Sequence, residues 1–187
     1  MNDHFLVLIF TAVALLLLKL QNRFKYSHYF WYGRLLDGYD SDISLFGILY
    51  RTLIPAVCGI FVGAFSIYLG YNRTPEFYGC ATGALTAFLV VWPSIYCPDQ
   101  TNQILYSRLK MLYLMRAMFF ALYVSLGHLG GNIAGLFAHL AIKFGHLQAP
   151  TWWDGKGIVT NLISAAFWTI GAYVIYLIHS KLQKLLQ

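Results

Sequence analysis

SLGHLGGNIAGLFAHL, residues 125–140, decides the fold, because it interrupts a mostly apolar run from 111 to 142. As one helix that run is about 48 Å long, against the ~30 Å hydrocarbon core of a bilayer. The stretch carries four glycines, two histidines and an asparagine, and hydrocarbon accepts such polar groups only where other protein meets them. If the helix continues, His128, Asn132, His139 and His146 fall within about 40° of one another at 100° per residue. That stripe would line a water-filled path or a proton-sensitive contact between subunits. If the span instead ends near Gly131, residues 133–147 lie flat on the outer surface. Ile133, Leu136, Phe137, Leu140, Phe144 and Leu147 then form one apolar stripe, with His139, Lys143 and His146 beside it. A re-entrant loop is the third alternative. The flat helix removes the length problem, so the chain is expected to break at Gly131.

Composition sets the class. Of 187 residues, 59% are hydrophobic and 11% charged, where a soluble domain carries about 25% charge. So much apolar surface cannot be hidden in a water-soluble globule of this size, which predicts lipid as the surrounding medium. The formal charge of +6 is not gathered into a patch of its own. It lies beside the apolar segments, as the positive bias of cytoplasmic loops requires, and nucleic-acid binding is set aside. Cys58, Cys80 and Cys97 make no disulfide framework and read as small apolar fillers.

The expected architecture is all-α: a polytopic integral membrane helix bundle of about five transmembrane helices plus one or two interfacial helices. The spans are placed near residues 4–20, 45–71, 77–96, 111–131 and 158–178, with interfacial segments near 22–38 and 133–147. Asp3 precedes the first apolar run and Lys19, Arg23 and Lys25 follow it, the reverse of a cleavable signal, so this segment reads as an anchor. With the N-terminus outside, the inner side receives Lys19, Arg23, Lys25, Arg34, Arg51, Arg108, Lys110, Arg116, Lys181 and Lys184. The outer side receives Arg73, Lys143 and Lys156. Ten against three fixes the expected orientation: N-terminus out, C-terminus in, across the cell (inner) membrane.

Gly127, Gly131 and Gly135 recur every four residues, Gly59 and Gly63 repeat the spacing in the second span, and Gly79 and Gly83 in the third. Small residues at that interval let helix backbones approach closely in lipid. Three spans carrying the pattern point to close helix packing, with some faces satisfied inside the subunit, and the many outward faces of so small a bundle point to a homo-oligomer.

Chemistry is sparse. Asp37, Asp40 and Asp42 lack the order and the distal Glu of a calcium loop and read as a solvated turn with a helix cap. No zinc-protease pair, nucleophile elbow, phosphate loop or cysteine–histidine metal spacing occurs in the chain. No catalytic residue, metal or cofactor is therefore assigned. Arg23, Lys25, Arg34, Asp37, Asp40, Asp42, Arg108, Lys110, Lys181 and Lys184 are candidates for contact with headgroups or a cytoplasmic protein partner.

The function these features suggest is that of a non-enzymatic, oligomeric membrane subunit. It would act as a channel-like element, or as a sensor or scaffold that docks a cytoplasmic partner through residues 22–44 and the basic tail. In build, though without a shared motif, it is similar to small multi-span subunits of bacterial stress and phage-defence systems. The alternative is a membrane enzyme acting on a lipid or lipid-linked substrate, using His28 or the Asp37/Asp40/Asp42 cluster at the inner surface.

Overall fold

The computed structural model of the chain describes residues 3–25, 45–71, 73–96, 106–148 and 158–186. Among these residues there are five helices and no strand: α1 (Asp3–Lys25), α2 (Leu45–Tyr68), α3 (Pro75–Tyr96), α4 (Tyr106–Lys143) and α5 (Ile158–Leu186). The all-α expectation is met. The boundaries follow local chemistry. α3 opens on Pro75, a position where the missing N–H costs nothing, and Glu76 sets a carboxylate in its first turn beside the positive end of the helix dipole. The Thr74 carbonyl accepts from the Phe77 N–H at 3.0 Å.

α2 and α4 end in the same way. Gly70 (φ 67°) and Gly145 (φ 76°) adopt the left-handed conformation. Behind Gly70, the Tyr71 N–H reaches the Ser66 carbonyl and the Gly70 N–H reaches that of Ile67, both at 3.0 Å. Behind Gly145, the His146 N–H reaches the Ala141 carbonyl at 2.8 Å and the Gly145 N–H reaches that of Ile142 at 3.0 Å. Each pair closes a Schellman cap, which only a residue without a Cβ accepts cheaply.

The break expected at Gly131 does not occur. α4 is one helix of 38 residues, about 57 Å long, and the stop signal is Gly145. The interfacial helix expected over 133–147 is instead the last three turns of α4 and its cap. Gly130 and Gly131 remain helical because both are held in backbone contact with neighbouring helices. That contact offsets the roughly 1 kcal/mol each glycine costs a helix. The first turns of α4 carry Arg108 and Lys110, and the 27-residue stretch Ala117–Lys143 has the apolarity and length of one crossing. The expected interfacial segment 22–38 begins as the last turn of α1, and its remainder lies outside the described residues.

α4 is the centre of the bundle, with α2, α3 and α5 packed on it and α1 lying against α2 and α3. Contacts of Gly59 with Gly127 and Gly63 with Ala134 make α2 parallel to α4, whereas Gly79 with Gly127 and Pro75 with Gly131 make α3 antiparallel. α1 fills the groove between α2 and α3 in two clusters. Leu6 groups with Val62, Tyr71 and Tyr78, and Ala14 and Leu18 group with Ile54, Cys58, Ala87 and Val90.

Beside its apolar core the bundle buries small polar side chains and leaves many large apolar ones exposed. Thr11, Ser66, Thr82, Thr86, Ser125 and Asn132 are buried, whereas Phe61, Phe137, Phe144, Ile163, Phe167 and Ile170 are more than half exposed. Several interior hydroxyls bond back to their own helix: Ser66 to the Gly63 carbonyl, Thr86 to that of Thr82 and Ser125 to that of Ala121. Among the described residues, Ala117–Lys143 of α4 is the one stretch both long and apolar enough to cross a membrane. Shorter apolar stretches occupy His4–Leu18, Leu53–Tyr68 and Leu162–Ile178.

Candidate functional site

Two adjoining faces of α4 carry the residues singled out by spacing. The first is the glycine face. A methyl group built on Gly127 would fall onto the Gly79 carbonyl oxygen, 3.1 Å from the Gly79 carbon and 3.2 Å from Gly83 Cα. One built on Gly59 or Gly79 would strike the Gly127 carbonyl, and one on Gly83 the Tyr123 carbonyl. At Gly131 it would meet the Pro75 oxygen at 2.5 Å and Glu76 Cα at 2.6 Å. Three helices thus touch main chain to main chain around Gly127, and Gly135 is buried on the same helix. The glycine pairs of α2, α3 and α4 meet one another inside a single chain. These glycines pack α2, α3 and α4 against one another within the chain, as expected of some of the faces.

Gly130 falls outside the four-residue series, yet its added methyl would strike the Ala56 carbonyl, with Ile60 N at 2.8 Å and Gly59 Cα at 2.9 Å. At 100° per residue it sits about 100° from Gly131 on the helix. The doublet therefore gives α4 two smooth faces at one level, Gly130 toward α2 and Gly131 toward α3. The sequence signal was the doublet itself, which marks a helix clasped from two sides.

The second face holds the polar stripe. His128, Asn132 and His139 lie on one side of α4, as continuous helical spacing requires. His146 does not join them, because the helix has ended and this exposed residue serves the cap through its backbone. Asn132 is 2% exposed, and its Nδ2 donates to the His128 carbonyl at 3.1 Å. The His128 ring stacks on Trp168 of α5, with centroids 4.3 Å apart and planes tilted by 40°. Trp168 in turn meets Phe167 edge-on at 5.7 Å. At His128 the half-buried stripe therefore meets α5 through an imidazole–indole contact of the kind worth about 0.5–1.5 kcal/mol beyond area burial. Trp168 carried no sequence signal beyond being an aromatic in an apolar helix.

The remaining candidates divide by position. Arg23 and Lys25 end α1, Arg108 and Lys110 begin α4, and Lys181 and Lys184 end α5. By the helix directions these all belong to one end of the bundle. Arg34, Asp37, Asp40, Asp42 and His28 lie outside the described residues. Among the described residues no three His, Cys, Asp or Glu side chains group to hold a metal ion. Cys58 is buried and Cys80 half-buried, both as free thiols. The arrangement packs α2 and α3 on α4 through their backbones and joins α5 to α4 through a ring contact at His128. Comparison with protein-family models, curated proteins and solved structures finds no match.

Proposed function

We propose that the chain is a polytopic membrane bundle with its N-terminus outside and its C-terminus in the cytoplasm. In this reading it is a sensor or scaffold subunit that passes a disturbance of the membrane to a cytoplasmic partner. The observation that carries this is the exposed apolar surface. α5 alone leaves Leu162, Ile163, Phe167, Ile170, Tyr173 and Val174 largely exposed. At about 25 cal/mol per Å² and on the order of 100 Å² each, keeping those six in water costs roughly 15 kcal/mol, comparable to the whole net stability of a domain. In hydrocarbon the cost vanishes, and burying hydroxyls and Asn132 within the bundle becomes the favourable arrangement. The shortest helix, α3, has 22 residues, about 33 Å, so every helix has the reach to cross.

A sensor or scaffold role fits better than conduction through one copy. The middle of the bundle is α4, in backbone contact with α2 and α3, which leaves no room for a path along its glycine face. A homo-oligomer in this reading would use other surfaces, and the exposed side of α5 is the largest of them. Reporter fusions at the two termini test the topology. Opposite compartments, outside for the N-terminus and cytoplasm for the C-terminus, are expected, and the same compartment for both overturns it.

A further inference from the structure

We propose that the groove where α1 meets α3 holds a bound water molecule, shared by the side-chain hydroxyls of Thr11 and Thr82. The site is a property of the packed bundle and is independent of the sensor role.

A threonine inside a helix has an acceptor at hand, the carbonyl three or four residues earlier in its own chain. The bundle uses that acceptor widely. Ser66 donates to the Gly63 carbonyl and Thr86 to that of Thr82, both at 2.7 Å. Ser125 donates to the Ala121 carbonyl and the exposed Thr169 to that of Ala165, both at 2.8 Å. Among the described residues, two buried threonines depart from this habit. Thr11 is 2% exposed and Thr82 1%, and neither Oγ1 has a hydrogen-bond partner. Thr82 and Thr86 stand one turn apart on the same helix, so the difference is set by what each one faces. A buried hydroxyl that forgoes its local acceptor loses its hydrogen bonding unless something else supplies it.

The two exceptions stand at one level. α1 runs parallel to α3, with Leu6 grouped with Tyr78, and Ala14 and Leu18 grouped with Ala87 and Val90. Interpolated, that register sets Thr11 beside residues 83–84, within about 3 Å of Thr82 along the axis. Val62 and Cys58 of α2, both buried, belong to the same clusters and close the groove on its third side. Tyr71 adds a further hydroxyl from the same surroundings. Its Oη is also buried without a partner, and its ring lies 5.8 Å from that of Tyr78, one turn before Thr82.

The chemistry of the site selects water. Thr11 and Thr82 do not bond to each other, so the group that serves both must donate and accept and reach two helices at once. Leu6, Ala14, Val62 and Tyr78 around it are each 2% exposed or less, and a single water is the polar ligand that so closed a groove admits. Buried waters of this kind take two to four polar partners. Besides the hydroxyls, the Val7 and Tyr78 carbonyls, which the two threonines pass over, offer second lone pairs in the same turns. The water gives α1 a directional tie within an otherwise apolar groove and fixes its register against α3.

The test uses the full chain in detergent micelles with isotope-labelled threonine methyls, and reads cross-relaxation between water protons and each methyl. Strong water contacts are expected at Thr11 and Thr82 and weak ones at Thr86, whose back-bonded hydroxyl controls for relay through the hydroxyl proton itself. Thr82→Val should abolish the contact at Thr11, and Thr11→Val the one at Thr82, with Thr86 unchanged. Valine keeps the side-chain shape and releases the water, so the bundle is expected to stay folded. Thr82→Ser retains a hydroxyl and should retain the Thr11 contact. Contacts at Thr11 and Thr82 no stronger than at Thr86 overturn the proposal. A Thr11 contact that survives Thr82→Val overturns it too, since the water is then not shared. Loss of that contact in Thr82→Ser also overturns it, because packing and not the hydroxyl would then hold the water.

Discussion

The same substitution, glycine to alanine, is expected to act with opposite signs at Gly127 and Gly171. At Gly127 the added methyl lands on the Gly79 carbonyl oxygen and within 3.2 Å of Gly83 Cα. Both obstacles are main chain, so relief requires α3 to move outward along its contact with α4. Overpacking of this kind costs about 1–3 kcal/mol in ordinary cores, and a backbone-to-backbone contact belongs at the upper end. Against it stands the ~1 kcal/mol that alanine contributes over glycine in a helix, leaving a net loss of roughly 1–2 kcal/mol. At Gly171 nothing lies within 4 Å of the built methyl, so the helical gain stands alone and stability should rise by up to ~1 kcal/mol. Both variants would be unfolded by denaturant in detergent micelles, with intrinsic tryptophan fluorescence as the readout. A Gly127→Ala protein as stable as the parent, or two shifts of the same sign, would refute the claim that backbone contact at Gly127 holds the bundle together.

Further expectations follow from individual side chains. Gly145→Ala should lower stability by about 1–2 kcal/mol through its positive φ, with Gly145→Asn milder, measured by the same denaturation. Trp168→Ala removes the stack on His128, and amide exchange should accelerate in α5 while α2 and α3 keep their protection. The Thr82 hydroxyl is buried without a hydrogen-bond partner while that of Thr86 bonds to the Thr82 carbonyl. Thr82→Val should therefore be neutral or stabilising by up to ~1 kcal/mol and Thr86→Val destabilising, as thermal melts would show. Phe167→Lys at an outward position should reduce membrane insertion by about 3 kcal/mol in a glycosylation-based insertion assay. An unaffected yield would mean that α5 does not face lipid.

Much of the helical plan was legible along the chain because long apolar runs act locally. The expectation for α4 failed for a non-local reason. Besides Gly127 and Gly135, this stretch holds the doublet at 130–131 and Gly145, and intrinsic propensity disfavours helix at both. Packing decided between them. The doublet is clasped by Ala56, Gly59 and Ile60 on one side and Pro75 and Glu76 on the other, while Gly145 has nothing near it and is free to turn left-handed. Likewise, four-residue glycine spacing announces that helices touch without naming the partner. Here the partners are in the same chain.

By itself the sequence determined that this protein is helical and built of long apolar segments with few charges. These properties depend on residue type and on neighbours within a turn or two. Only the tertiary structure decided that α4 runs unbroken through the middle, that its glycines are consumed against α2 and α3, and that His128 closes on Trp168. Such outcomes hinge on residues tens of positions apart meeting within a few ångströms, and periodicity along one helix carries no information about which distant backbone will arrive beside it.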